Sequence, residues 1–156
     1  MPSVTWDTTG IAATARSVRS LQREIGDLRP FWPRMRPVVS RWMTQQFQTQ
    51  GAWGGSRWAA LTPRYGAWKA AHYPGQPILV RTGNLQRQAT RPRIRGERDM
   101  MVVTLWARVA SFHQHGTSRM VARPIIPAAW PAQASKEFRD AIRGYIADRI
   151  RRSGLA

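Results

Sequence analysis

Eight acids and three histidines are all that this chain offers for acid–base or metal chemistry, and it has no cysteine. Without cysteine there are no disulfides, thiolate metal sites or thiol nucleophiles. The acids are Asp7, Glu24, Asp27, Glu97, Asp99, Glu137, Asp140 and Asp148. Most fall on expected helix surfaces or in an expected hairpin turn, and arginines flank Glu97 and Asp99. No pair has the spacing of a metal site or an acid–base couple. His113 and His115 would share a face if their segment were a strand, which permits a metal pair. With no third ligand nearby, turn histidines are the plainer reading, and His72 stands alone. Gly51, Gly54 and Gly55 precede no Gly-Lys-Ser/Thr, and Lys69 is isolated, so no phosphate loop is present. The expectation is a protein that is not an enzyme, with no catalytic residue, no metal and no cofactor.

What the chain has in excess is positive charge: 25 Lys+Arg against 8 Asp+Glu, a formal net charge of +17 over 156 residues. Lys69 and Lys136 are the only lysines, so the other 23 bases are arginine. Guanidinium forks grip phosphate or carboxylate in paired hydrogen bonds. A bias toward G/C-rich codons is the favoured reading of the ratio, but it does not account for the shortage of acids, and a charge this size calls for DNA, RNA or an acidic protein surface as partner. Arginine is densest over 81–98, at Arg81, Arg87, Arg91, Arg93, Arg95 and Arg98. On a strand, Arg91, Arg93 and Arg95 share one face and Pro92 and Ile94 the other. Together with Arg81 and Arg87 they are the candidate contact for DNA or an acidic partner; a solvated sheet face is the ordinary alternative. Tryptophans interleaved with arginine could stack single-stranded bases. The favoured reading puts Trp42 and Trp106 in the core, with Trp53, Trp58 and Trp68 pinning an irregular loop.

The elements that would position these residues follow from periodicity. Ile11, Ala15, Val18, Leu21, Ile25 and Leu28 recur every three to four residues, which predicts an amphipathic helix. Pro30, Pro33 and Pro37 interrupt it, and a second helix is expected to start near Pro37 and end near Gly51, with Val38, Val39, Trp42, Met43 and Phe47 as its stripe. A Trp/Gly-rich loop leads to a short helix over about 64–72, and Thr82-Gly83-Asn84 turns into a brief helical stretch through Leu85. Arg91 to Arg95 and Met100 to Trp106, joined by Gly96-Glu97-Arg98-Asp99, read as a hairpin with Pro92 at an edge or strand start. A further strand is expected over Ala107 to Phe112, then a turn at His113-Gln114-His115-Gly116 and a loop to Pro127. Phe138, Ile142, Tyr145, Ile146 and Ile150 predict a closing helix between Pro131 and Gly154. The fold class is α+β: a small antiparallel sheet with a hairpin, packed by N-terminal helices and a long C-terminal helix. The expected organisation is one domain over residues 1–156, long enough to bury roughly two-thirds of its unfolded surface. No apolar run approaches the roughly 18 residues of a membrane helix, and no signal-peptide core is seen at the N-terminus, so a soluble protein made in the cytoplasm is expected.

Five short motifs then fall in a familiar order. Phe47 with Gly51 and Gly54 comes first, then Trp58-Ala59-Ala60-Leu61 with Thr62-Pro63. Pro77-Ile78-Leu79-Val80-Arg81-Thr82-Gly83-Asn84-Leu85 follows, then His113-Gln114-His115-Gly116, and last Val121-Ala122-Arg123-Pro124. In this the chain resembles the phage virion morphogenesis (tail completion) family of tailed bacteriophages, which includes the Mu-like G proteins. It departs from the pattern at His115, where the family has an aromatic, and at Ile125, where a larger hydrophobe is usual.

The resemblance implies a tail-completion or head–tail joining subunit at the neck of the virion, made in the bacterial host. It also implies self-assembly into a ring, with a hexamer expected, and no catalysis. Its partners would be neighbouring neck and tail proteins, and packaged double-stranded DNA in the channel is a candidate. No membrane partner is expected. Trp53, Trp58, Arg123 and Pro124 would belong to the subunit interface, since 51–68 and 117–127 are long, irregular and apolar for exposed connections. The alternative is a free-standing, sequence-nonspecific nucleic-acid-binding protein that uses the arginine strand.

Overall fold

The computed structural model describes residues 9–105 and 108–153. In chain order it contains α1 (Thr9–Ile25), α2 (Trp32–Gln48), a 3₁₀ turn (Ala52–Gly54), α3 (Pro63–His72), α4 (Asn84–Thr90), β1 (Arg93–Gly96), β2 (Met101–Thr104), α5 (Arg108–His115) and α6 (Ala132–Arg152). The fold is α+β, with a two-stranded antiparallel hairpin and a long C-terminal helix.

The second helix starts earlier than the prolines predict. It begins at Trp32, with Pro33 in its first turn and Pro37 inside it. An interior proline forfeits one backbone hydrogen bond and crowds the preceding turn, at about 3 kcal/mol or more. Against that cost, Trp32 and Met35 bury before Pro37, and Val39, Trp42 and Met43 bury after it. Each such side chain contributes about 1.5–3 kcal/mol when fully buried, so the helix survives its proline.

Two hydrophobic clusters result. The first joins Phe31, Trp32, Met35, Val39, Trp42 and Met43 to Ala134 and Tyr145 of α6, with Ile94, Met101 and Val103 of the hairpin packed against it. The expected stripe of the closing helix is seen here, as Phe138, Ile142 and Ile146 also pack on this cluster. The second cluster joins Phe47, at the far end of α2, to Trp58, Val80, Leu85, Ala89, Ala110 and Ile125.

The hairpin pairs Arg93 with Thr104, Ile94 with Val103, Arg95 with Val102 and Gly96 with Met101. Arg93 and Arg95 are exposed while Ile94 is half-buried, which is the alternation expected of them. Arg91 is not in the strand: α4 runs on to Thr90, because Leu85 and Ala89 bury one turn apart, and Arg91 caps its end. Pro92 is buried just ahead of β1, where its missing N–H costs no ladder bond.

The strand expected up to Phe112 is a helix instead. In α5 the inward residues are Ala110, His113 and Gln114, a spacing of three and four, while Val109 and Phe112 stay exposed. His113 and His115 therefore point to different sides, which removes the shared strand face on which a metal pair would rest. Trp106, read as core, and Ala107 lie outside the described residues, as do Asp7 and Gly154.

Gly83 and Gly116 sit at φ +74° and +76°, a region that side-chain-bearing residues reach only with strain. Gly83 caps the start of α4. Gly116 ends α5, its N–H donating to Phe112 O at 2.8 Å, and a Cβ there would stand 2.9 Å from both Ala122 N and Met120 O.

The hairpin is keyed to α2 by a close approach. Trp32 Nε1 donates to Glu97 O at 2.7 Å, and a Cβ on Gly96 would run into the Trp32 ring. Gly96→Ala should therefore lower stability by about 1–3 kcal/mol, the usual range for overpacking. Urea unfolding measures it; an unchanged midpoint would mean that the hairpin can lift off α2 without loss.

Candidate functional site

Several motifs that are scattered along the sequence meet at the C-terminal end of α2. Trp58 packs edge-on against Phe47 at 5.2 Å between ring centroids, and its Nε1 donates to Pro124 O at 2.8 Å. Gln46 Nε2 donates to the same Pro124 oxygen at 3.1 Å, while Gln46 Oε1 accepts from Gly54 N at 2.9 Å. Arg123 turns its guanidinium back into the chain, with Nε donating to Ala59 O and Nη2 to Ala60 O, both at 2.7 Å. Gln114 completes the stitching: its Oε1 accepts from Ile125 N and Ile126 N, and its Nε2 donates to Ile126 O. Irregular backbone must place its N–H and C=O groups somewhere, and here four side chains receive them.

Beside this anchor lies an open cleft of about 620 Å³. Tyr65 and Lys69 of α3 form one wall, Leu79 to Leu85 another, and Val109 and His113 of α5 a third, with Arg119 to Val121 beside them and the buried Arg123 beneath. Lys69 is buried, and its ammonium donates to Gln76 O at 3.0 Å and to Pro77 O. Burial lowers its pKa from the usual 10.5. His113 is also pushed below its usual 6.5, first by burial and then by the Arg123 charge. Its Nδ1 is buried with no hydrogen-bond partner among the described residues. Leu79 holds a left-handed φ of +61°, which is strained for so bulky a residue.

The residues singled out from sequence fall into separate places. Trp58 and Arg123 are 5% and 6% exposed and, with the Pro124 carbonyl, form the anchor itself. Trp53 lies apart on the first cluster, with its ring near Trp42 and Trp130. Arg81 and Arg87 flank the Thr82-Gly83 turn; Arg87 Nη1 donates to Thr82 O at 3.1 Å, and the Arg81 guanidinium lies 5.9 Å from the Tyr73 ring centroid. Arg91, Arg93 and Arg95 follow along the end of α4 and β1, where Arg95 pairs with Glu97. Trp68 is partly exposed in a stack with Tyr65 and His72.

Gln46, Gln114 and Lys69 matter more than the sequence reading allowed. Gln46 breaks an otherwise apolar stripe beside Phe47, and Lys69 is one of two lysines among 25 bases. Both were visible as polar exceptions, although nothing local said what they would bond. Among the described residues, no group of three or more His, Cys, Asp or Glu stands together to hold a metal.

Side chains that hold backbone in place, beside a basic cleft, define a protein built around surfaces. The model of the phage virion morphogenesis family matches residues 10–153, so the chain belongs to that family. Its role therefore lies in assembling the phage particle, alongside other virion proteins. No curated protein and no solved structure matches the chain. Among the described residues, no helix is long and apolar enough to cross a membrane.

Two stability predictions follow from the anchor. Arg123→Lys keeps the charge but loses the fork over two carbonyls, and a hydrogen bond to a charged group contributes about 1.5–3 kcal/mol. Urea unfolding should register a loss of that size; a loss under 0.5 kcal/mol would mean that the fork is dispensable. His113 supplies the second. Its folded pKa lies below its unfolded value, so below about pH 6.5 the unfolded chain binds the extra proton more readily. Stability is thus complete above 6.5 and falls as pH drops. Unfolding midpoints should decline between pH 7.5 and 5.5, before the carboxylates titrate, and His113→Gln should flatten that decline.

Proposed function

We propose that the chain is the tail-completion subunit of a phage neck, acting as one unit over its whole length in a ring, with a hexamer expected, that joins head to tail. The observation that carries this reading is the family match over 10–153, together with the convergence of its motif residues on one region. Trp58, Leu85, Gly116 and Arg123 build a scaffold there and leave a cleft and basic flanks facing outward. That is what an assembly subunit requires. Both clusters hang from α2, which favours a single unit. Trp53, Trp58, Arg123 and Pro124 serve the interface by shaping it, since most of their polar capacity is engaged within the chain.

The arginines of the α4–β1 stretch are proposed to face packaged DNA or an acidic neighbour. Rings of a +17 chain repel themselves, and counter-charge must come from outside the subunit. The rival reading, a free-standing nucleic-acid binder, draws on the exposed Arg93 and Arg95 face.

Two measurements separate the readings. A phage with a stop codon in this gene should yield filled heads and finished tails that do not join, seen by electron microscopy; joined, infectious particles would overturn the neck reading. If the arginines meet DNA, replacing Arg91, Arg93 and Arg95 by Gln should reduce the slope of log K against log salt by about 2 to 3, from about 0.9 per phosphate contact. An unchanged slope would assign these arginines to protein neighbours.

A further inference from the structure

Nearly every acid whose side chain the structure describes is already paired. Asp27 meets Arg29, Glu97 meets Arg95, Glu137 meets Arg41 and Trp42, Asp140 meets Lys136, and Asp148 meets Arg34 and Arg151. Asp99 has neither an ion pair nor a hydrogen bond among the described residues. It stands exposed in the β1–β2 turn, next to Met100, which is 53% exposed. The turn that carries them is fixed. Leu28 N donates to Arg98 O at 2.7 Å, Arg98 Nε to Gly26 O at 2.8 Å, and Glu97 N to Met100 O at 2.8 Å. A lone carboxylate and an apolar side chain are thus exposed side by side on a turn that three hydrogen bonds tie down.

The cleft offers the opposite chemistry. None of its lining residues is acidic; the exposed Arg81 and Arg119 face it, and the buried charges of Lys69 and Arg123, bonded to carbonyls, lie in its wall. Its apolar rim is open to solvent, with Val121 64% and Val109 46% exposed. A volume of about 620 Å³ can take several side chains. DNA phosphate would use the charge but would leave the valines and Met120 wet. An apolar side chain beside a carboxylate uses both.

Tip and cleft also lie toward opposite ends of α2. Trp32, the first residue of α2, bonds the hairpin turn, while Phe47, near its last, packs on Trp58 beside the cleft. A helix of 17 residues spans about 25 Å. Complementary surfaces at opposite ends make a heterologous, head-to-tail contact, and such contacts close into rings when the rotation permits.

We propose that the hairpin tip of one copy, through Asp99 and Met100, docks into the basic, valine-rimmed cleft of the next copy. The ring closure that this contact would drive rests on the function proposed above; the contact itself can be tested alone. Asp99→Arg with Met100→Glu disables the tip, and Val121→Glu, or Val109→Glu as a second choice, disables the cleft. These side chains are exposed, so the variants should unfold at the wild-type urea concentration.

Sedimentation of the full chain provides the readout. The wild type should form oligomers larger than a dimer. Each variant alone should need at least tenfold higher concentration to associate. Mixed in equal amounts, the two variants should form a dimer and nothing larger, because one intact tip and one intact cleft remain between them. Undiminished rings from the tip variant would overturn this contact and leave the ring reading standing. A mixture that stays monomeric would also overturn the contact. A wild type monomeric at about 1 mM would overturn both.

Discussion

The face of α2 that runs from Trp32 to Phe47 is the constraint on which everything else depends. Its first four turns close a cluster with α6 and the hairpin, and its last turn closes another with Trp58 and Ile125. It supplies five of the buried residues of the first cluster and Phe47 of the second. The helix therefore sets the distance and orientation between the hairpin at one end and the motif-bearing loops at the other. This also accounts for Pro37 persisting inside it: losing one backbone bond costs less than breaking a helix that serves two cores.

The loops gathered at the far end of α2 are long, and their backbone groups could not all be met by regular structure. Gln46, Trp58, Gln114 and Arg123 meet a good share of them, and each bonds backbone at least 8 residues away in sequence. Such side chains are interior in function although polar in type. Removing one leaves a buried carbonyl or amide without its partner, which costs more than the bond contributes on balance. In this family member, the motif residues thus specify how irregular segments cross over one another.

Periodicity made the helices at both ends legible, because each buries one stripe of large apolar residues. The hairpin was legible for the same reason, since Ile94 and Val103 alternate with exposed neighbours. The error at 108–115 was local: Val109 and Phe112 look like strand residues, but both are exposed, and the inward residues are the smaller Ala110 and the polar His113 and Gln114. The start of α2 was misplaced because proline propensity acts locally, whereas the burial of Trp32 and Met35 is decided by partners a hundred residues away. The motif positions were legible as a pattern. Their use as backbone anchors was not, because the acceptors of Arg123 lie more than sixty residues upstream.

The distribution of charge follows from this division of labour. Ion pairs such as Arg34 with Asp148 and Lys136 with Asp140 are largely solvated, and pairs of that kind contribute about 0–1 kcal/mol. They cannot hold the fold, and α2 removes the need for them to do so. The solvated ion pairs of the arginine excess therefore add little to the stability of the single chain; Arg123, buried over two carbonyls, is the clearest exception, and Arg87 and Arg98 each bond one backbone carbonyl from the surface. Surface arginines freed from a folding role can be arranged for partners instead, at little cost to the subunit. The same freedom leaves every isolated copy carrying charge that its own acids do not neutralise. A molecule so built is electrostatically incomplete alone, which is the condition expected of a part made for an assembly.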